Sequence, residues 1–271
     1  MNKNKLNDLL KMAINASLKG GEQILEIYDT NFSVEFKEDM SPLTLADKKC
    51  NEIIEQNLKH TGLPLLSEEG SSITYEKRKD WEYFWLIDPL DGTKEFVKRN
   101  GEFTVNIALV HNNLPILGVI YAPVIGNLYF GLKGLGSYKF NISSNNKISL
   151  DHILSSAIRL PLFSNQREYT IVGSRSHMSK ETEHFFQLKK KEYTKVNILS
   201  VGSSLKLCMV AEGSADVYPR YAPTMEWDTA AGHAIAKFAG CLITQYQSND
   251  EVVYNKSSLI NPWFLIERHN V

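Results

Sequence analysis

The sequence predicts a mixed α/β (α+β) protein on three observations: apolar residues at helical spacing before residue 60, short alternating apolar runs from Pro64 to Val124, and strand–helix alternation after about residue 150. Residues 5–29 carry Leu6, Leu9, Leu10, Ala13 and Ile14 at helical intervals, with Gly20-Gly21 predicting a break before Ile24, Leu25 and Tyr28. A second helix is predicted from Thr44. Its hydroxyl can act as N-cap with Asp47 three residues on, ahead of Ile53, Ile54 and Leu58.

The runs PLLS, YFWLID, FTVNIALV and LGVIYA read as strands of a sheet separated by turn residues. Leu114–Leu132 is uncharged and long enough to span a bilayer, but Pro115, Gly118, Pro123, Gly126, Asn127 and Gly131 interrupt it. It therefore reads as two strands, Ile116–Tyr121 and Leu128–Phe130, joined by a turn at 123–127. Further on, IVGS, NILSVG, ADVYP and CLITQ alternate with helical segments near 178–191, 203–212 and 227–239. The chain divides on this reading into an N-terminal α+β half, 1–150, and a C-terminal α/β half, 151–271, joined within 141–166.

With 271 residues, 43% hydrophobic and 23% charged, the chain can bury a substantial core as a soluble globular protein. Thirty lysines and arginines nearly balance thirty-one acidic residues, so no overall field would draw nucleic acid or anionic lipid. An anionic ligand must be held locally. Cys50, Cys208 and Cys241 are far apart, with no C-x-x-C pair to suggest zinc or a redox dithiol, which fits a cytoplasmic setting. The N-terminus MNKNKLNDLLKMA lacks the apolar core of a secretory signal. The expected state is a monomer or homodimer without an integral membrane segment; peripheral attachment at the inner membrane is left open.

The strongest local signal is WLIDPLDGT. The apolar run Phe84–Ile87 delivers Asp88 to a strand end, and Pro89, lacking an N–H, predicts that the strand stops there. Asp91-Gly92-Thr93 then resembles a helix start whose N–H groups could hold a phosphate. Alone, D-P-x-D-G reads as readily as a capped turn. Upstream, LPLLS likewise ends in Glu68-Glu69-Gly70, and downstream Glu226-Trp227-Asp228 opens an apolar helix in which Asp228 could simply be a cap. Taken together, carboxylates at 68, 88, 91 and 228 and the Leu90 carbonyl are the hard oxygen ligands that magnesium prefers. If they converge, a bound cation is the expected offset to their repulsion.

Three blocks, SEEG at 67–70, WLIDPLDGT at 85–93 and WDTAAGHA at 227–234, resemble the inositol monophosphatase superfamily of lithium-sensitive, magnesium-dependent phosphatases over essentially the whole chain. Within it, SPLTLAD, DPLDGTKEFVKRNGEFTVNIALV, GSRSH, VGSSLK and YPRYAPTMEWDTAAGHA are similar to the bacterial CysQ-type 3′(2′),5′-bisphosphate nucleotidases. The resemblance implies a layered αβαβα sandwich of the inositol monophosphatase/fructose-1,6-bisphosphatase type. It also implies two or more magnesium ions per site and a substrate such as adenosine 3′,5′-bisphosphate, with 3′-phosphoadenylyl sulfate as a relative.

By that resemblance Glu68, Asp88 and the Leu90 carbonyl would hold one magnesium and Asp88, Asp91 and Asp228 a second. Thr93 and Asp47 would orient the attacking water, making Asp47, Thr93 and Glu68 the expected catalytic set. Substrate contacts would come from Gly92, Thr93, Ser174, His177, Gly202, Lys206 and Asp228, with Arg220 a further candidate for the second phosphate. Without the resemblance, Lys206 reads as a solvated helix residue and His177 as a turn residue.

Three other readings compete, the first being an inositol monophosphatase-type sugar or polyol phosphatase within the same superfamily. A haloacid dehalogenase-type phosphatase uses an aspartyl nucleophile in D-x-D-G-T, whereas the spacing here is D-x-x-D and the first aspartate lies 88 residues in. A non-catalytic magnesium or nucleotide sensor would not need Thr93 and Asp47 beside the acidic set.

Overall fold

The computed structural model describes residues 1–36, 42–142, 149–162, 167–174 and 179–268. Helix α1 (Lys3–Tyr28) starts at Asn2, whose side chain accepts from the Lys5 amide at 2.9 Å. It runs through Gly20 and Gly21 without the predicted break. A Cβ on Gly20 would stand 2.7 Å from Cys50 Sγ, and one on Gly21 would enter the Tyr121 ring. Close packing at these two positions outweighs the roughly 1 kcal/mol that each glycine costs a helix interior.

Strands β1 (Val34–Phe36) and β2 (Pro42–Thr44) pair antiparallel and lead into α2 (Leu45–Leu58). The predicted capping box forms: the Thr44 amide and hydroxyl donate to Asp47 Oδ2 at 2.7 and 2.6 Å.

The elements that follow are β3 (Leu65–Ser67), α3 (Tyr75–Arg78), β4 (Tyr83–Asp91), α4 (Thr93–Val97), β5 (Thr104–His111), β6 (Leu114–Ala122), β7 (Asn127–Leu132), β8 (Gly136–Asn141), α5 (Leu150–Ser156) and β9 (Ile158–Arg159). The strands form one seven-stranded sheet in the order β3-β4-β5-β6-β7-β8-β9. Only β3 and β4 are parallel; the remaining neighbours are antiparallel. Alternate residues of its central strands enter two cores. Trp85, Ile87, Ile107, Leu109 and Val119 pack with Leu9, Ile14 and Ile54 of α1 and α2, and Phe84, Leu86, Ala108, Val110 and Ile120 pack toward the opposite side. Covering both faces explains why these strands read as nearly continuous apolar runs.

The chain continues through β10 (Tyr169–Ser174), α6 (Lys180–Glu192), β11 (Val196–Val201), α7 (Leu205–Glu212), β12 (Val217–Arg220), α8 (Glu226–Phe238), β13 (Cys241–Gln245) and β14 (Phe264–Arg268). These strands make a five-stranded sheet ordered β11-β10-β12-β14-β13. The last strand had no sequence prediction. It is inserted antiparallel between β12 and β13, so its place is set by partners distant in sequence.

Helices α7 and α8 lie between the sheets, giving the layers α1/α2, seven-stranded sheet, α7/α8, five-stranded sheet, α6, which is an αβαβα sandwich. Ala231 and Ile235 of α8 share one core with Ala108 and Ile120 of the large sheet and Ile243 and Ile266 of the small one. Among the described residues no helix is long and apolar enough to cross a membrane.

Candidate active site

The acidic residues gather where the two sheets' connections meet. Glu68 follows β3, its amide bonded to the Ile87 carbonyl at 3.1 Å. Strand β4 does not stop at Asp88 as Pro89 had predicted. It continues to Asp91, which pairs with Thr104, and the register shifts between Asp88 and Asp91. A bulge admits a proline that cannot donate to the ladder, and it re-aims the residues around it. Asp88 Oδ1 accepts the Leu90 amide at 3.1 Å, closing the local turn.

After the bulge, Gly92 adopts φ +94° and starts α4 with Thr93 as its first residue. Thr93 Oγ1 lies 3.1 Å from Asp47 Oδ1 and 3.3 Å from the Leu90 carbonyl oxygen. Asp47 thus divides its labour: Oδ2 caps α2 and Oδ1 faces Thr93. Capping and a link to the pocket are compatible because the two oxygens point to different partners.

Farther along the chain, Asp228 sits in the first turn of α8 and accepts the Met225 amide through Oδ2 at 2.9 Å. Asp91 Oδ2 accepts the Ser204 amide at 2.5 Å and Asn106 Nδ2 at 3.3 Å. The Ser204 hydroxyl lies 2.8 Å from Asn106 Oδ1 and 2.7 Å from Thr104 Oγ1. This short polar chain fastens the start of α7 to β4 and β5.

Glu68, Asp88, Leu90, Asp91, Gly92, Thr93, Gly202, Lys206, Arg220 and Asp228 all line one cavity of about 300 Å³. Asp47 is behind that wall, 2% exposed, and reaches it through Thr93. Lys206 is not solvated: it is 7% exposed, and its ammonium donates to the Val201 carbonyl at 3.2 Å and to the Ser203 carbonyl. Burial and, secondarily, Arg220 lower its pKa to about 8 against the opposing pull of Asp91. Ser174 ends β10 in register with Val201, while its side chain and the whole of His177 lie outside the described residues.

Charge repulsion at the acidic wall is severe. Asp88, 1% exposed, is held well above the usual carboxylate range by burial and then by Glu68, Asp91, Asp228 and Asp47. Asp91 is raised to about 6, burial prevailing over Lys206 and the bonds from Asn106 and Ser204. Asp228 is raised to about 8 by burial and Asp91. Among the described residues no three acidic, histidine or cysteine side chains already stand in ligating geometry. The donors fit a hard divalent ion: they are carboxylate and carbonyl oxygens, with no thiolate or imidazole among them, and their mutual repulsion is what such a charge would relieve.

Sequence reasoning had no signal for Asn106, which sits inside an apolar strand run, or for the Glu102 carboxylate that accepts the Gly202 amide at 2.8 Å. Ser204 was legible only as part of VGSSLK.

Residues 5–270 match the model of the inositol monophosphatase family. The chain belongs to the inositol monophosphatase family. Among its relatives in that family, the 3′(2′),5′-bisphosphate nucleotidase CysQ of Salmonella typhimurium is 40% identical over 263 residues, spanning 95% of this chain and 99% of the relative. CysQ of Haemophilus influenzae is 32% identical over 98% of this chain and 93% of its own length. The crystal structure of CysQ from Bacteroides thetaiotaomicron, a bacterial member of the family, is 49% identical and superposes with a TM-score of 0.88, covering 96% of this chain and 97% of that one. An IMPase from Thermotoga maritima, 23% identical over 96% of this chain and 92% of its own, shares the fold with a TM-score of 0.72.

Proposed function

We propose that this member of the family is a magnesium-dependent phosphatase that removes the 3′-phosphate of adenosine 3′,5′-bisphosphate, yielding AMP and phosphate, and acts likewise on 3′-phosphoadenylyl sulfate. One observation carries the reading. A single cavity is lined both by the carboxylates Glu68, Asp88, Asp91 and Asp228 and by the cations Lys206 and Arg220. Clustered carboxylates suit metal ions that engage the scissile phosphate, and cations lining the same cavity suit a second anionic group of the same molecule. The likeness to CysQ nucleotidases over nearly the whole chain supports the same substrate class.

On this reading Glu68, Asp88, the Leu90 carbonyl, Asp91 and Asp228 would hold two or more magnesium ions. Bound there, the metal would lower the pKa of a coordinated water and neutralise charge on the phosphoryl group. The chain's own part is to orient that water. Thr93 Oγ1 donates to Asp47 Oδ1 and so turns a lone pair toward the water, whose proton can pass through the hydroxyl to Asp47. Burial raises the Asp47 pKa, which makes its carboxylate a better proton acceptor. Because Asp47 acts through Thr93, it is a positioning residue. Gly92 and Thr93 flank the scissile phosphate, while Gly202, Lys206 and Arg220 serve the other end of the substrate with Ser174 and His177.

The test is phosphate release from adenosine 3′,5′-bisphosphate, inositol monophosphates and fructose 1,6-bisphosphate, with magnesium and with added lithium. Preference for the nucleotide, dependence on magnesium and inhibition by lithium are expected. Preference for an inositol phosphate would reassign the substrate, and tight nucleotide binding without release would make the protein a sensor.

A further inference from the structure

Glu95 has no part in the chemistry above, yet it lines the same cavity as Asp91, Thr93 and Lys206. Its side chain lies against two glycines. Oε2 is 3.4 Å from where a Cβ of Gly92 would stand, and Cγ is 2.7 Å from where a Cβ of Gly202 would stand. A side chain at 202 would displace it, so the bare backbone of VGSS leaves the room that Glu95 fills. The carboxylate makes no hydrogen bond or ion pair with another described residue; its field reaches Lys206, whose charged form it favours.

Once a ligand displaces water from the pocket, an anionic group facing it without a protein partner is unfavourable unless the ligand offers it a donor. The position beside Gly92 limits which donor that is. With the scissile phosphate held along Asp91-Gly92-Thr93, the Glu95 carboxylate stands beside the ester, where it would repel phosphate oxygens and attract a neutral hydroxyl. Lys206 and Arg220 are the groups left for the remote phosphate.

We propose that Glu95 is a specificity-determining residue: it accepts a hydrogen bond from the free hydroxyl adjacent to the scissile phosphate ester, which in a nucleoside 3′,5′-bisphosphate is the ribose 2′-hydroxyl. This inference rests on the bisphosphate reading above. It makes the enzyme selective for ribonucleotide over deoxyribonucleotide substrates, because a deoxy substrate offers the carboxylate no such donor.

The experiment compares kcat/KM on adenosine 3′,5′-bisphosphate and 2′-deoxyadenosine 3′,5′-bisphosphate for the wild type, Glu95→Gln and Glu95→Ala, together with their melting temperatures and magnesium requirement. The wild type should favour the ribonucleotide by roughly tenfold to a hundredfold. Glu95→Ala should lose that factor on the ribonucleotide and change little on the deoxynucleotide, and Glu95→Gln, which keeps an acceptor oxygen, should retain part of it. Equal wild-type rates on the two substrates would overturn the proposal while leaving the bisphosphate reading intact. Equal losses on both substrates in Glu95→Ala, or a raised magnesium requirement in Glu95→Gln, would also overturn it, since Glu95 would then be shaping the wall or holding metal. No wild-type turnover of either nucleotide would sink the bisphosphate reading itself and this inference with it.

Discussion

Replacing Asp228 by asparagine should move stability and turnover in opposite directions. Burial, and next to it the Asp91 carboxylate, push Asp228 from 3.8 up to about 8. A carboxyl whose folded pKa exceeds its unfolded one holds more protons when folded. Stability therefore falls as pH rises across that interval, and the full penalty is present above about 8. The interval from 3.8 to about 8, at 1.36 kcal/mol per pH unit, caps the penalty at about 6 kcal/mol. Asp228 is only partly buried and shares its repulsion with Asp91, so screening reduces the expected gain from Asp228→Asn to about 1–3 kcal/mol. The amide keeps an oxygen for the Met225 N–H, now accepted at 2.9 Å, so the α8 cap survives.

Scanning calorimetry in chelator should show the variant melting several degrees above the parent at pH 8.5, at roughly 2–4 °C per kcal/mol for a chain of this size. The difference should shrink toward pH 5, where the parent's carboxyl is protonated. With magnesium, phosphate release should fall by at least about 100-fold, the loss expected for a ligand carboxylate. A variant less stable than the parent at pH 8.5, or a gain that does not grow between pH 5 and pH 8.5, would refute the electrostatic account of this wall.

Three further outcomes are expected. Thr93→Val removes the hydroxyl that joins Asp47 Oδ1 to the pocket at 3.1 Å, and kcat should fall about 100-fold with KM little changed; a near-normal kcat would take Thr93 out of the water's environment. Magnesium should raise the melting temperature of the metal-free protein more at pH 8 than at pH 6, because Asp228 and Asp91, at about 8 and about 6, give up protons across that range; equal gains would contradict metal binding by these carboxylates. Gly21→Ala drives a methyl into the Tyr121 ring and should cost about 1–3 kcal/mol, seen as a lower melting point with unchanged specific activity at 25 °C.

Much of the fold was legible because its elements are locally encoded. The Thr44–Asp47 capping box is a four-residue signal and forms as read, and the prolines and glycines of 114–132 divide that apolar stretch into β6 and β7. Where local rules failed, tertiary contact overrode them. Gly20 and Gly21 read as a break because isolated glycines weaken helices, but Cys50 and Tyr121 need that bare surface. Pro89 read as a strand end because it lacks a donor, but a bulge carries β4 past it to Asp91.

By itself, then, the sequence determined the mixed α/β class, the strand and helix starts that carry Glu68, Asp88, Asp91 and Asp228, and, through three short blocks, the family. Those properties depend on neighbours a few residues away. Only the tertiary structure decided that the carboxylates share one cavity with Lys206, that Lys206 is buried rather than solvated, and that Ser204 and Asn106 grip Asp91. The shared cavity and the Ser204–Asp91 bond depend on segments more than a hundred residues apart meeting across the sandwich, and the Asn106–Asp91 bond on two paired strands. Burial and repulsion, the forces that shape the site's chemistry, exist only once they have met.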